Sequence, residues 1–111
     1  MKDIFDKAGF LDRLMGDEEV ANEIFAEFLE DVSHKLTTME EDLDNNDVSL
    51  LLCQVHTLKG AAANVGAEAI QEVACQIEVA GQSEDMDKAG SLIPELERQL
   101  EMLKQLDFRD C

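Results

Sequence analysis

The length, composition and charge of the chain limit what it can be. Its 111 residues are enough for one domain that buries a core without disulfides or a metal. The apolar residues are mostly aliphatic, with five Phe, no Trp or Tyr and a single Pro, which favours helices over strands. A formal charge of −17 at pH 7 argues against nucleic acids and anionic membranes as ligands. We therefore predict one acidic, all-α domain over residues 1–111.

The cysteines and the N-terminal segment indicate the compartment. Cys53, Cys75 and Cys111 are odd in number and form no CxxC pair, which is typical of reduced thiols in a cytoplasm. We expect Cys53 and Cys75 to pack as small apolar residues. The first 19 residues contain acids throughout and no apolar run, which predicts neither a signal peptide nor a membrane span. The expectation is a cytoplasmic, monomeric protein.

The first half of the chain predicts a short helix followed by a long one. A helix over about Lys7 to Met15 is stopped by Gly16, and Asp17 is suited to cap a second helix that extends to Asp44. Acids at the start of this second helix suit its dipole. Its apolar residues recur every three or four positions, at Ala21, Phe25, Phe28, Val32, Leu36, Met39 and Leu43. We read the carboxylates of Glu40, Glu41, Asp42 and Asp44 as a solvated helix end.

The third helix begins after a polar turn and carries a second apolar stripe. Asp47 is the predicted cap, and Gly66 is placed just past the last residue. The residues predicted to be buried are Val48, Leu51, Leu52, Val55, Leu58, Ala62 and Val65.

Two further helices complete the pattern. Ile70, Val73, Ala74, Ile77 and Ala80 mark a fourth helix that ends at Gly81. Either Ser83 or Asp85 caps a fifth, in which Pro94 should introduce a kink or lie in an early turn. Its stripe is Ala89, Leu92, Ile93, Leu96, Leu100 and Leu103. Because short connections force neighbouring helices to be antiparallel, we predict an up-down-up-down four-helix bundle with a short extra N-terminal helix.

The most informative segment is a window without acids in the third helix. Asp and Glu fill 26 positions of the chain, yet none lies between Val48 and Ala67, where His56 and Lys59 are the only side chains able to carry charge. The two are one helical turn apart, and Gly60 follows at once. A glycine inside a helix costs about 1 kcal/mol relative to alanine, so its presence indicates function or close packing.

The helical phase predicts that the His56 ring faces solvent. It lies about 130° from the middle of the apolar stripe, whereas Lys59 lies near the edge of the stripe. Around the ring we expect a flat, small-residue patch that includes Leu52, Cys53 and Ala63. An imidazole near its reference pKa is mostly neutral at pH 7 and has one nucleophilic nitrogen. Phosphorylation there would be stabilised by Lys59, and the lack of nearby acids in the window would remove competing repulsion.

Residues 56–67 read HTLKGAAANVGA and resemble the signature of histidine-containing phosphotransfer (HPt) domains. The resemblance extends into the next helix, where Cys75 and Glu78 stand where that family commonly has such residues. It implies that His56 is the phosphoacceptor, that Lys59 stabilises the phosphate, and that Gly60 provides steric access. It also suggests that Gln82 lies near the phosphohistidine.

The resemblance further implies a relay of phosphoryl groups between receiver-domain aspartates through His56. The partners would be receiver domains of response regulators and of a hybrid sensor histidine kinase. The receiver would supply Mg²⁺, and the chain itself would need no metal or other cofactor. We predict a docking surface formed by Phe10, Leu11, Leu14, Leu52, Cys53 and Val55, next to the site.

Simpler interpretations stand beside these predictions. Without the motif, His56 would be an inert surface histidine, Lys59 an ordinary lysine at the edge of the core, and Gly60 a close helix contact. Cys53 and His56 have a spacing compatible with a shared zinc, but few further ligands are at hand. His34, with acids on both sides, is read as part of a solvated helix face. The functional alternatives are a non-catalytic receiver-binding adaptor and a phosphate sink that drains a pathway by hydrolysis.

Overall fold

A computed structural model describes residues 5–105, and all regular secondary structure in that range is helical. The helices are α1 (Lys7–Arg13), α2 (Glu18–Asp44), α3 (Val48–Val65), α4 (Glu68–Gln82) and α5 (Met86–Gln105). Helix α3 packs against α2 and α4, and α5 packs against the same two helices from the other side. The short connections make neighbours antiparallel, which confirms the predicted four-helix bundle with a short lead-in helix. None of the helices in this range is both long and apolar enough to cross a bilayer.

Aspartate caps set where the helices begin. The carboxylates of Asp17, Asp47 and Asp85 each accept a hydrogen bond of 3.1 Å from a backbone amide in the first turn of α2, α3 and α5. Asp85 is therefore the cap of α5, whereas Ser83 ends α4. Gly66 ends α3 with φ of 81°, a left-handed conformation that glycine adopts without a steric penalty.

Helix α1 is fixed against the end of the bundle at which α3 turns into α4. The backbone amide of Asp6 donates to the carbonyl oxygen of Gly66 at 2.7 Å. A side chain at position 66 would bring a Cβ atom to 2.9 Å from the Asp6 carbonyl oxygen, so this close approach requires glycine. The Phe5 ring packs against Phe10 and Phe25, with centroids 5.9 and 4.9 Å away. A backbone hydrogen bond to the end of α3 and an aromatic cluster with α2 therefore hold α1 in place.

The core follows the predicted stripes, with two shifts near helix ends. Asp42 is only 5% exposed, so its assignment to a solvated helix end is wrong. It takes the buried position one turn after Met39, where the predicted stripe had Leu43. Leu43 is only partly buried. Burial raises the pKa of the Asp42 carboxyl above its usual value. Gly81 does not end α4, which continues to Gln82. Gly81 is buried, and an added Cβ atom would lie 2.9 Å from Cδ2 of Leu52, so Leu52 fills the space that a side chain would need.

Two other expectations, on the cysteines and on Pro94, differ from the folded chain. Cys53 and Cys75 are exposed, so the prediction that they pack in the core is wrong; both lie on outward faces of α3 and α4. Cys111 lies outside the described residues. Pro94 lies in the interior of α5, so its placement in an early turn is wrong, and the alternative of a kink at Pro94 stays a prediction.

Candidate functional site

The His56 ring projects from the middle of α3 into solvent. Its side chain is 73% exposed, while Val55 and Leu58 on the opposite face of the same helix are fully buried. This confirms the outward orientation that the helical phase predicts. An exposed imidazole on a rigid helix is open to a reacting group on another protein.

Glu78 of α4 joins the two polar residues of the site. One carboxylate oxygen lies 3.0 Å from Nδ1 of His56, and the other accepts a hydrogen bond of 2.6 Å from Nζ of Lys59. The Glu78 side chain is only 12% exposed, so most of it is held between α3 and α4. A single carboxylate therefore connects the imidazole and the ammonium across a helix interface.

The Glu78 contact determines which ring nitrogen is free. The ion pair with Lys59, and then the hydrogen bond with His56, hold the pKa of Glu78 below its usual value, so its oxygens act only as acceptors near neutral pH. Nδ1 of His56 must therefore carry the hydrogen and donate it to Glu78. In neutral imidazole this leaves the lone pair on Nε2, on the side of the ring away from Glu78.

The structure changes the electrostatic interpretation of the acid-free window. Residues 48–67 contain no acid in sequence, but folding brings Glu78 into contact with both His56 and Lys59. The window itself contains no acid, but the expectation that no carboxylate would repel a phosphate on His56 is wrong, because Glu78 lies against the ring. The hydrogen bond with Glu78 raises the pKa of Lys59 above its ordinary value, so the ammonium stays charged.

Gly60 leaves open space beside the ring. A Cβ atom built at this position meets nothing within 4 Å outside its own helix, so close helix packing does not explain the glycine. Steric access from outside the chain is the remaining interpretation of the two considered.

We predict that Gly60→Ala stabilises the fold and impairs docking. Alanine is favoured over glycine in a helix interior by about 1 kcal/mol, and here it clashes with nothing. Urea unfolding should report this gain, while transfer from a phosphorylated receiver should slow, and slow further with the larger Gly60→Val. Transfer at the wild-type rate in Gly60→Val would mean that position 60 does not contact the partner.

Comparison with known proteins identifies the family of the chain. The family model described as the Hpt domain matches residues 23–106, which is most of the chain. The chain belongs to the Hpt domain family.

Two relatives extend the comparison. The chain is 26% identical over 107 residues to the phosphorelay intermediate protein rdeA of Dictyostelium discoideum, covering 95% of this chain and 42% of the relative, so it spans less than half of that protein's length. It also superimposes on the crystal structure of histidine-containing phosphotransfer protein B (HptB) from Pseudomonas aeruginosa PAO1 with a TM-score of 0.86. That match covers 96% of this chain and 92% of the other at 20% identity, and it bears on the fold alone.

The other residues of this Hpt domain that the sequence singled out, Ala63, Gln82 and His34, are all exposed. Ala63 is exposed on the His56 side of α3. Gln82 is exposed in the last turn of α4 and, within residues 5–105, forms no hydrogen bond with His56. Its role near a phosphohistidine stays a prediction. His34 is exposed on α2, as its interpretation as part of a solvated face requires.

The predicted docking residues of the Hpt domain divide into two groups. Phe10 is 3% exposed and Val55 is fully buried, so their inclusion in a docking surface is wrong; both side chains belong to the core. Leu11, Leu14 and Leu52 are partly buried, and Cys53 is exposed, so these four can still present atoms to a partner.

Proposed function

We propose that this Hpt domain carries a phosphoryl group on Nε2 of His56 between the aspartates of receiver domains. The observation that supports this most strongly is the exposed imidazole whose Nδ1 is hydrogen-bonded to Glu78 at 3.0 Å. Family membership and the likeness to a phosphorelay intermediate support the same reaction class.

The reaction needs little from the chain beyond a positioned nucleophile. The Nε2 lone pair attacks the phosphorus of an aspartyl phosphate, a P–N bond forms, the P–O bond to the aspartate breaks, and the carboxylate leaves. The ring then bears positive charge, because Nδ1 keeps its hydrogen. Glu78 stabilises that charge through the same hydrogen bond, and the reverse reaction follows the same path.

Lys59 can bind the Glu78 carboxylate and a phosphoryl group on His56 at the same time. In the resting protein its ammonium is bound to Glu78 at 2.6 Å, yet an ammonium has three donors. The side chain is 31% exposed, so a remaining N–H group is open to a phosphoryl oxygen on the ring. Lys59 thus offsets both the Glu78 carboxylate and the incoming phosphate charge.

The partner supplies the rest. We propose that receiver domains of response regulators and of a hybrid sensor histidine kinase dock over His56, with Mg²⁺ held by the receiver. An interface that must release its partner after each transfer should be small. We also propose that the protein acts as a monomer in the cytoplasm.

A direct test uses candidate receivers from the same cell, phosphorylated on aspartate. After incubation, the labelled residue is identified by mass spectrometry under neutral or alkaline conditions, because phosphohistidine is acid-labile. We expect label on His56 and its onward transfer to a second receiver. Binding without label would favour a receiver-binding adaptor, and label lost to inorganic phosphate without onward transfer would favour a phosphate sink.

We predict that Lys59→Ala slows transfer by roughly tenfold or shortens the phosphohistidine lifetime, the size expected for losing one charge-assisted hydrogen bond. The fold should persist, because Lys59 is outside the core and α3 tolerates alanine at the neighbouring position Ala61. Rapid-quench transfer and the decay of label measure the two quantities. Lys104→Ala, which removes an exposed lysine of α5 outside the site, is the matched control. Equal rates and lifetimes in Lys59→Ala would leave Lys59 with a packing role only.

A further inference from the structure

A groove lies between α2 and α3, on the side of α3 that faces away from Glu78 and α4. The groove has a volume of about 420 Å³, and Ile24, Phe28 and Val65 form its apolar part. Its polar margin includes Glu27 and Asp31 of α2. We refer to it as the α2–α3 groove.

The α2–α3 groove lies within reach of a protein that contacts His56. Ala61 and Asn64 line it and follow His56 by five and eight residues, which is about 8 and 12 Å along the helix axis. A standard interface covers about 800 Å² on each partner, a patch about 30 Å across. A receiver centred on His56 therefore covers the groove, and Gly60 adds no side chain between them.

The α2 margin of the groove is acidic and largely uncompensated. Glu27 and Glu30 lie one turn apart, and neither has a cationic partner among the residues that the structure describes. Asp31 is paired with Lys35 at 3.1 Å. A second depression of about 620 Å³ on α2 shares Glu27 and Asp31 and also includes Glu30, so the acidic margin is accessible from both sides. Like charges one turn apart destabilise a helix, so folding alone does not favour this arrangement.

The opposite side of His56 has a different charge. A depression of about 600 Å³ along α4 is lined by Lys59 and Lys88, together with Glu72, uncharged polar residues and Val79. The ring therefore stands between a side that carries Lys59 of α3 and Lys88 of α5 and an acidic margin on α2. A partner whose acidic phosphorylation site covers His56 and Lys59 is attracted in one orientation only, with its basic side over α2.

We propose that the α2–α3 groove is the specificity surface for the receiver, and that it takes a receiver segment with an aliphatic side chain flanked by Lys or Arg. The proposal rests on the proposed function, because it assumes that a receiver docks over His56. The aliphatic side chain packs on Ile24 and Ala61, the partly exposed apolar residues of the groove, and the cation pairs with Glu27 and Glu30. Receivers with an acidic docking face are rejected by the same margin.

The test measures transfer from phosphorylated receivers to Glu27→Lys and to the double variant Glu27→Lys, Glu30→Lys at subsaturating concentration. We expect a receiver with a basic docking face to lose about tenfold in transfer rate at low salt, with the loss shrinking as salt screens the charges. A receiver with an acidic docking face should gain. Glu101→Lys, the same charge change on an exposed residue of α5, is the control.

The outcome is judged against that control. If Glu27→Lys slows the basic receiver no more than Glu101→Lys does, or if the two receiver classes respond alike, the groove does not select partners and the proposal is overturned. Circular dichroism and urea unfolding of each variant exclude loss of the fold as the cause of a slower rate.

A small phosphodonor separates this proposal from the proposed function. Phosphoramidate transfers its phosphoryl group to Nε2 with release of ammonia and needs no docking surface. Glu27→Lys should be labelled on His56 by phosphoramidate at the wild-type rate, which shows that its defect lies in docking. Absence of label in the wild-type protein would count against the phosphoacceptor role of His56 itself, and a slowed Glu27→Lys reaction would count against a docking role for Glu27.

Discussion

His56→Gln abolishes labelling of the protein by a phosphorylated receiver while leaving its fold intact. The ring is the proposed nucleophile, and no other group in the site offers a nitrogen lone pair, because Lys59 is a charged ammonium. At 73% exposure the side chain contributes little to packing, so the free energy of unfolding should change by less than about 0.5 kcal/mol. Acid-labile incorporation of label measures the loss, and urea unfolding measures the stability.

His34→Gln is the matched control for this prediction. It makes the same substitution at an exposed histidine on α2, outside the site, and should be labelled like the wild-type protein. Glutamine at position 56 can still donate to Glu78, so the Lys59–Glu78 pair is expected to stay in place. Undiminished labelling of His56→Gln, or equal loss in His34→Gln, would remove the phosphoacceptor assignment.

Periodicity was sufficient for the bundle because the stripes are long and consistent. In α2, seven apolar positions recur at intervals of three or four, and the segment buries six of them as predicted. The failures lie at the ends of helices. Asp42 is drawn into the core next to Met39, and Gly81 is retained inside α4 because Leu52 occupies the space of its missing side chain. Propensity describes the chain locally and cannot anticipate such tertiary contacts.

The site was predictable in part. The phase of α3 places His56 outward and Lys59 near the edge of the stripe without any knowledge of the neighbouring helix. The contact between His56 and Glu78 joins residues 22 positions apart, and the relative rotation of α3 and α4 decides it. Only the family resemblance pointed to Glu78, and it gave no geometry. Similarly, Val55 adjoins His56 in sequence but points into the core, so adjacency misled the choice of docking residues.

The second large effect is expected at Glu78, because this carboxylate fixes the tautomer of the nucleophile. Glu78→Ala removes the acceptor for the hydrogen on Nδ1, so the ring populates both tautomers and Nε2 is no longer held free. Partners that orient a histidine in metal sites are worth about 10- to 100-fold, and we expect a loss of that order in the transfer rate. Rapid-quench phosphotransfer gives the rate, and ¹⁵N chemical shifts of the imidazole give the tautomer directly.

Glu78→Gln separates tautomer control from charge. Its amide oxygen still accepts from Nδ1, so the tautomer should be retained, but the negative charge that stabilises the phosphorylated ring and holds Lys59 is lost. We therefore expect a rate between those of wild type and Glu78→Ala. Because the folded-state pKa of Glu78 is depressed below 4.5, the carboxylate is charged above that pH. Its effect on the His56 ring is therefore lost only as the pH falls through the lowered pKa. The rate difference between wild type and Glu78→Gln should thus persist at neutral pH.

Wild-type rates and wild-type imidazole shifts in Glu78→Ala would contradict the role of Glu78 in fixing the tautomer. A carboxylate that merely packs between α3 and α4 would alter stability and leave the ring unchanged.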